Sequence, residues 1–230
     1  MPYILMALIT IITVSLTPFW RKTKATAKIG MISWILTSTY FIFEYVVIRG
    51  TTAPYQVLHQ PMSDLGVTIC GTDTYALASY EICSPNHLFM NWIFTLTGLV
   101  IFVGAVCLHQ FWPKKKTNVI ATVLLAIFGL SYTISGIIPA DVSFIWHTLA
   151  SLPGMFVQIP AMVIIGLSIR KEMPKLAVWT YVCTAINIIT LLLIFLQFSM
   201  IDLPGGLFQR ILYGSVYLWM TGTAIGLWKK

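Results

Sequence analysis

The chain has 230 residues, 58% of them hydrophobic and only 9% charged, with a mean hydropathy of +0.86 and a net charge of +7. A soluble domain carries roughly a quarter charged residues, so this chain lacks the polar surface to cover itself in water. Its positive charge does not point to nucleic acid, because the basic residues stand in short clusters between apolar stretches, the pattern that encodes membrane topology.

A bilayer core about 30 Å thick needs roughly 20 apolar residues in helical conformation. Stretches of that length fall at 2–20, 29–49, 90–112, 118–138, 146–169, 175–198 and 208–228. They predict an all-α bundle of seven transmembrane helices in a single domain over 1–230, since backbone groups in lipid must be satisfied within each segment. The first stretch, Met1 to Trp20, carries no charge and ends in Thr17-Pro18-Phe19-Trp20 before Arg21 and Lys22. It lacks the basic start and small-residue end of a cleaved signal, so it is expected to be retained.

The intervening loops predict orientation. Arg21, Lys22, Lys24 and Lys28 follow the first helix, and Lys114, Lys115 and Lys116 follow the third. Arg170, Lys171 and Lys175 follow the fifth, and Lys229-Lys230 ends the chain. These are alternate loops and hold twelve of the fourteen basic residues. The positive-inside rule assigns them to the cytoplasm and leaves the N-terminus outside, the C-terminus inside. Loops 50–89, 139–146 and 199–207 then face out, with Asp64, Asp73, Glu81, Asp141 and Asp202. No solenoid repeat is visible.

Cys107 and Cys183 fall within apolar helices, where a thiol is a small hydrophobe. Cys70 and Cys83 lie in the long outer loop. An oxidising compartment favours pairing them, which would contribute roughly 3 kcal/mol through loop closure. A metal site wants thiolates two to four residues apart, and these are not so spaced. No metal and no cofactor are expected.

The polar residues of the outer side come in a few stretches. They are Ser63-Asp64-Leu65-Gly66, the Cys70 to Cys83 loop with Ser84-Pro85 and His87, Asn91, the stretch Gly136 to His147, and Gly206 to Arg210. In these residues the chain resembles the bacterial membrane-protein family of domain of unknown function 998 (DUF998), from the second helix to the end. The resemblance implies a fold and a site location rather than a reaction, and with them a multi-pass protein of the bacterial cytoplasmic membrane. A Ser-Asp-Gly pattern at a helix mouth is more distantly similar to the Frag1 and DRAM proteins. The scattered Ser, Asp and His are similar to the seven-helix hydrolases related to alkaline ceramidase. Those hydrolases are expected to show a His-x-x-x-His pair on a late helix, and this chain has none.

Each polar residue carries a structural reading beside a functional one. Ser63-Asp64 either caps a helix, for about 1 kcal/mol, or belongs to a site. His147 follows Asp141 at a membrane boundary, where a carboxylate would favour the charged imidazole and suit acid–base work. Arg210 opens the last helix and either binds a lipid phosphate or pairs with Asp64, Asp141 or Asp202. Glu44 lies within the second helix, where a charge is costly; its expected partner is Arg210, with Arg49 the mundane choice. His59 and His87 flank the loop as ligands or as polar surface, and His109 reads as structural.

Two functions fit. One is a membrane enzyme acting on a lipid or lipid-linked substrate at the outer leaflet, with Ser63, Asp64, Asp141 and His147 catalytic and Arg210, Glu44, Asn91 and His87 binding. The other is a lipid or small-molecule binding protein, or the partner subunit of a membrane complex. Both take membrane lipids as surroundings, and neither involves nucleic acid. The chain has no Gly-rich nucleotide loop and no serine-elbow motif. The outer ends of the second, fifth and seventh helices are expected to converge on one polar pocket holding Glu44, Asp64, Asp141, His147 and Arg210.

Overall fold

The computed structural model describes residues 1–17, 22–196 and 203–229. Nine α-helices account for most of them, and no strand occurs among the described residues. They are α1 (Pro2–Leu16), α2 (Lys24–Leu36), α3 (Tyr40–Arg49), α4 (His87–Leu108), α5 (Lys116–Ile137), α6 (Phe144–Phe156), α7 (Gln158–Ile169), α8 (Pro174–Leu196) and α9 (Gly205–Trp228). Arg21, Asp202 and Lys230, and the final residues expected for the first and sixth spans, lie outside the described residues.

Two predicted spans are each built from two helices. The second begins earlier than expected, at Lys24, because Thr23 and Thr26 form a reciprocal capping box that satisfies orphan amides of the first turn. It then tightens into a 3-10 turn at Thr37–Thr39, where the hydroxyls of Thr37, Ser38 and Thr39 each donate to the carbonyl three residues back. Such local bonds compete with the helical ladder. The fifth span divides at Val157, between α6 and α7, where Pro160 has no N–H to give the Phe156 carbonyl; Pro153 lies inside α6.

Among the described residues, five rods are long and apolar enough to cross a membrane: Lys24–Arg49, His87–Phe111, Lys116–Ile137, Phe144–Ile169 and Pro174–Leu196. Of the other two expected spans, α1 is short, at 15 described residues. The last, α9, has the length at 24 residues, but its glycines with Gln209 and Arg210 lower its apolarity. It faces the interior, with Arg210, Leu212, Tyr213, Tyr217 and Trp219 all buried.

The rods close a ring in which α2 packs on α4, α4 on α5, α5 on α6 and α7, α7 on α8, α8 on α9, and α9 on α2. The first helix rests outside, against α4 and α5. The centre of the ring is aromatic: Tyr132 stands 5.9 Å from Tyr40, 5.2 Å from Tyr213 and 5.5 Å from Phe94 between ring centroids. The outward faces carry Ile11, Ile42, Val123, Leu149, Val182 and Leu192, all exposed, whereas Asn118, Gln158 and Asn187 are fully buried. This inside-out distribution suits a lipid solvent, in which buried amides join helices. Asn187 donates to the Leu212 carbonyl and to Ser215, and its own carbonyl accepts from Gln158, so one residue ties α7, α8 and α9 together.

Small residues let α4 and α5 meet backbone to backbone. A Cβ on Gly98 would lie 2.4 Å from the Gly129 carbonyl oxygen, and one on Gly136 would lie 2.5 Å from that of Asn91. The basic turns share one end of the bundle: Asn118 bonds both Pro113 and Ser168, and Gln110 reaches Thr26. The long loop, the 138–143 turn and the start of α9 share the other.

The candidate cavity and the polar groups around it

The long loop sits as a cap over the acidic end. Cys70 and Cys83 are joined by a disulfide, beside a single antiparallel bridge between Gly71 and Ile82. Val67, Ala78 and Ile82 form a small apolar cluster under it, with Tyr75 and Tyr80 packed alongside. A 3-10 turn at Met62–Gly66 carries the Ser63-Asp64-Leu65-Gly66 stretch. Three side chains from elsewhere fasten this turn. Gln209 accepts from the Met62 N–H at 2.8 Å, Ser84 donates to the Leu65 carbonyl at 2.8 Å, and Asn91 donates to the Gly66 carbonyl at 2.8 Å. Gly66 is required there, since a Cβ would meet the Asn91 side chain at 2.4 Å.

Asp64 neither caps a helix nor meets the bundle charges. It is 1% exposed, and its two oxygens accept from the hydroxyls of Tyr75 at 2.5 Å and Tyr80 at 2.7 Å. Burial raises its carboxyl to about 6, against the pull of these hydroxyls and of Arg210. Burial beside that carboxylate also pushes the Tyr75 and Tyr80 phenols upward.

Glu44 and Arg210 form the expected pair, at 2.9 Å and almost entirely buried. Arg210 also donates to Tyr55 at 2.6 Å and to the carbonyls of Val57, Gln60 and Gly206 at 2.8, 3.2 and 2.9 Å. Its Nε has no acceptor. The guanidinium thus fastens the long loop to α3 and α9, with only the buried Nε–H left unbonded. Arg49, the alternative partner, is not in this pair.

Asp141 and His147, expected to interact, are engaged separately. Oδ2 of Asp141 accepts from the N–H and hydroxyl of Thr68, and its buried Oδ1 is without a partner. Nδ1 of His147 lies 2.7 Å from the Ile138 carbonyl. A carbonyl only accepts, so Nδ1 carries a proton. His87 likewise donates from Nδ1, to the Ser84 carbonyl at 3.1 Å, and Asn91 also reaches the Tyr3 hydroxyl of α1.

The five residues expected in one pocket therefore occupy the same end of the bundle but belong to distinct clusters. What does open between α5, α6, α9 and the 62–66 turn is a cavity of about 240 Å³. Ser63, Ser135, His147, Ser151 and Gln209 supply its polar wall, and Phe94, Phe144, Met155 and the rings of Tyr75, Tyr132 and Tyr213 its apolar one. The Tyr132 hydroxyl is buried without a well-formed hydrogen bond. Of the expected site residues, Ser63 and His147 line this cavity while Asp64, Asp141, Glu44 and Arg210 do not.

Sequence reasoning passed over Tyr55, Tyr75, Tyr80, Thr68 and Gln209. The signal available was three tyrosines in a loop otherwise rich in small and polar residues, beside two carboxylates and an arginine that needed partners.

Among known proteins, no curated protein and no solved structure matches the chain. The distant likeness to Frag1, DRAM and ceramidase-related proteins therefore gains no support. Residues 35–226, from within α2 to within α9, match the family described as Protein of unknown function (DUF998). This helical membrane protein belongs to the DUF998 family.

Proposed function

We propose that the chain lies in the cytoplasmic membrane with its basic turns inside, binds the polar part of an outer-leaflet lipid or lipid-linked molecule in the 240 Å³ cavity, and acts on it. The observation that carries this reading is an imidazole and a hydroxyl, His147 and Ser63, on the walls of one mixed polar and apolar cavity. Ligand sites usually measure roughly 300–1,000 Å³. This one suits a headgroup or a short piece of an acyl chain, the rest of the molecule staying in the bilayer. With Nδ1 tied to Ile138, the imidazole in its neutral form has its lone pair on Nε2, the form that accepts a proton from a hydroxyl or water.

A second reading, binding without chemistry, is favoured by how the other ionisable groups are used. Asp64, Glu44 and Arg210 have their main partners inside the protein, which leaves His147 without an acid or cation of its own in the cavity.

Native mass spectrometry of the purified protein tests binding. Thr148 lines the cavity and is only partly buried, so Thr148→Trp narrows it without disturbing the core. The reading expects a retained lipid that Thr148→Trp loses; equal retention contradicts it. Incubation with total membrane lipid, followed by mass spectrometry of products, then tests chemistry. Turnover abolished by His147→Gln supports the enzyme, and binding without products leaves the second reading.

A further inference from the structure

A roomy groove lies at the opposite end from the cavity just described. About 660 Å³ of space runs between α8 and α9, lined by Met173, Pro174, Leu176 and Trp179 on one side and by Gly222 and Gly226 on the other. Its floor exists because α9 has no side chains there. A Cβ on Gly226 would touch nothing within 4 Å, and one on Gly222 would meet the Trp179 indole nitrogen at 2.7 Å. The walls are apolar, as an acyl chain requires, and Val178 and Val182 of the same helix α8 are exposed.

The rim is charged. Lys175 and Glu172 both line the groove, and Lys175 forms no ion pair among the described residues. Arg170 and Lys171 belong to the same turn, and Lys229 follows the end of α9. Of these cations only Lys175 lines the groove itself, beside Glu172. The first turn of α8 begins at Pro174, so the positive end of its dipole adds to Lys175 at that spot. The Trp179 Nε1–H is buried against Gly222 with no acceptor; a rotation of the ring toward an ester or phosphate oxygen in the groove removes that deficit.

We infer that this groove is a binding site for an anionic phospholipid of the leaflet at the basic end, its acyl chain over Gly222 and Gly226 and its phosphate at Lys175. The apolar floor and cationic rim together select such a lipid over a free phosphate, which has nothing to bury, and over a zwitterionic lipid, whose ammonium meets the same cations. The site is separate from the proposed cavity and stands or falls independently of it.

Trp179 is a built-in reporter. The protein is reconstituted in vesicles containing dibrominated phosphatidylglycerol or dibrominated phosphatidylcholine, and the Trp179 contribution is taken as the difference from Trp179→Phe. Quenching of that contribution should favour the anionic lipid by about fivefold in affinity, the effect of one well-placed surface cation. Lys175→Gln should remove the preference, and Gly226→Leu, which fills open space, should reduce quenching by both lipids. Lys114→Gln, in another basic turn, should change neither. Equal quenching by the two lipids, or a preference that survives Lys175→Gln, overturns the assignment.

Discussion

Replacing Arg210 tests whether the guanidinium holds the outer cap to the bundle. Its five contacts run in two directions: toward Glu44 and Tyr55 from Nη2, and toward the carbonyls of Val57, Gln60 and Gly206 from Nη1. Lysine keeps the charge but has a single nitrogen, so Arg210→Lys forfeits two or three hydrogen bonds, about 2–3 kcal/mol at about 1 kcal/mol each. Arg210→Met leaves Glu44 buried without a counter-charge, which costs about 3–5 kcal/mol. At about 2–4 °C per kcal/mol for a chain of this size, the lysine variant should melt roughly 4–12 °C below the parent and the methionine variant lower still. Cys107 and Cys183 are free and buried, so a thiol-reactive dye reports the opening of the bundle in detergent. Adding Glu44→Gln to Arg210→Met should recover part of the loss, because the stranded carboxylate is then gone. A lysine variant that melts with the parent, or a methionine variant no worse than lysine, would refute the reasoning.

Other consequences are as direct. Between about pH 4 and 6 Asp64, raised from 3.8 to about 6 by burial, keeps its proton in the folded chain while the unfolded chain ionises. Its contribution to stability is complete below about pH 4 and lost as pH rises through about 6, a fall of roughly 3 kcal/mol; Asp64→Asn should flatten this part of a melting-temperature profile. Gly98→Ala drives a methyl group to within 2.4 Å of the Gly129 carbonyl oxygen and should destabilise by about 1–3 kcal/mol or more by overpacking, seen in the same thiol assay. Removing the disulfide with Cys70→Ser and Cys83→Ser should cost roughly 3 kcal/mol and render the 71–82 segment sensitive to protease while the helices stay intact. A cysteine introduced at Lys115 should resist impermeant thiol reagents in intact cells; strong labelling there would reverse the proposed orientation.

Most of the architecture was readable because a bilayer leaves so few choices: long apolar runs become helices, and clusters of lysine and arginine mark one set of turns. The Glu44 and Arg210 pair was readable for a similar reason, since an ionised group at that depth needs a partner. The Cys70 and Cys83 link followed from compartment and spacing. The two divided rods were harder. Hydropathy is blind to the run of hydroxyls at Thr37 to Thr39 bonding backward, and Pro153 and Pro160 do not by themselves say whether a helix bends or ends. Least legible was the division of the outer polar groups. Charge alone placed Asp64, Asp141, His147 and Arg210 at one end of the bundle. Their partners turned out to be two tyrosine hydroxyls, a threonine and backbone carbonyls, and such neutral acceptors and donors are set by the folding of the loop, which has no periodicity to read.

The most direct test of the lipid reading is a high-resolution cryo-electron microscopy map of the protein in nanodiscs made from its native membrane lipids. The account predicts density between Ser63, Tyr132 and His147, continuous through the cavity mouth near Thr148 with an acyl chain in the outer leaflet, and absent in Thr148→Trp. A cavity closed to the bilayer, or one holding only isolated water in both proteins, would contradict it.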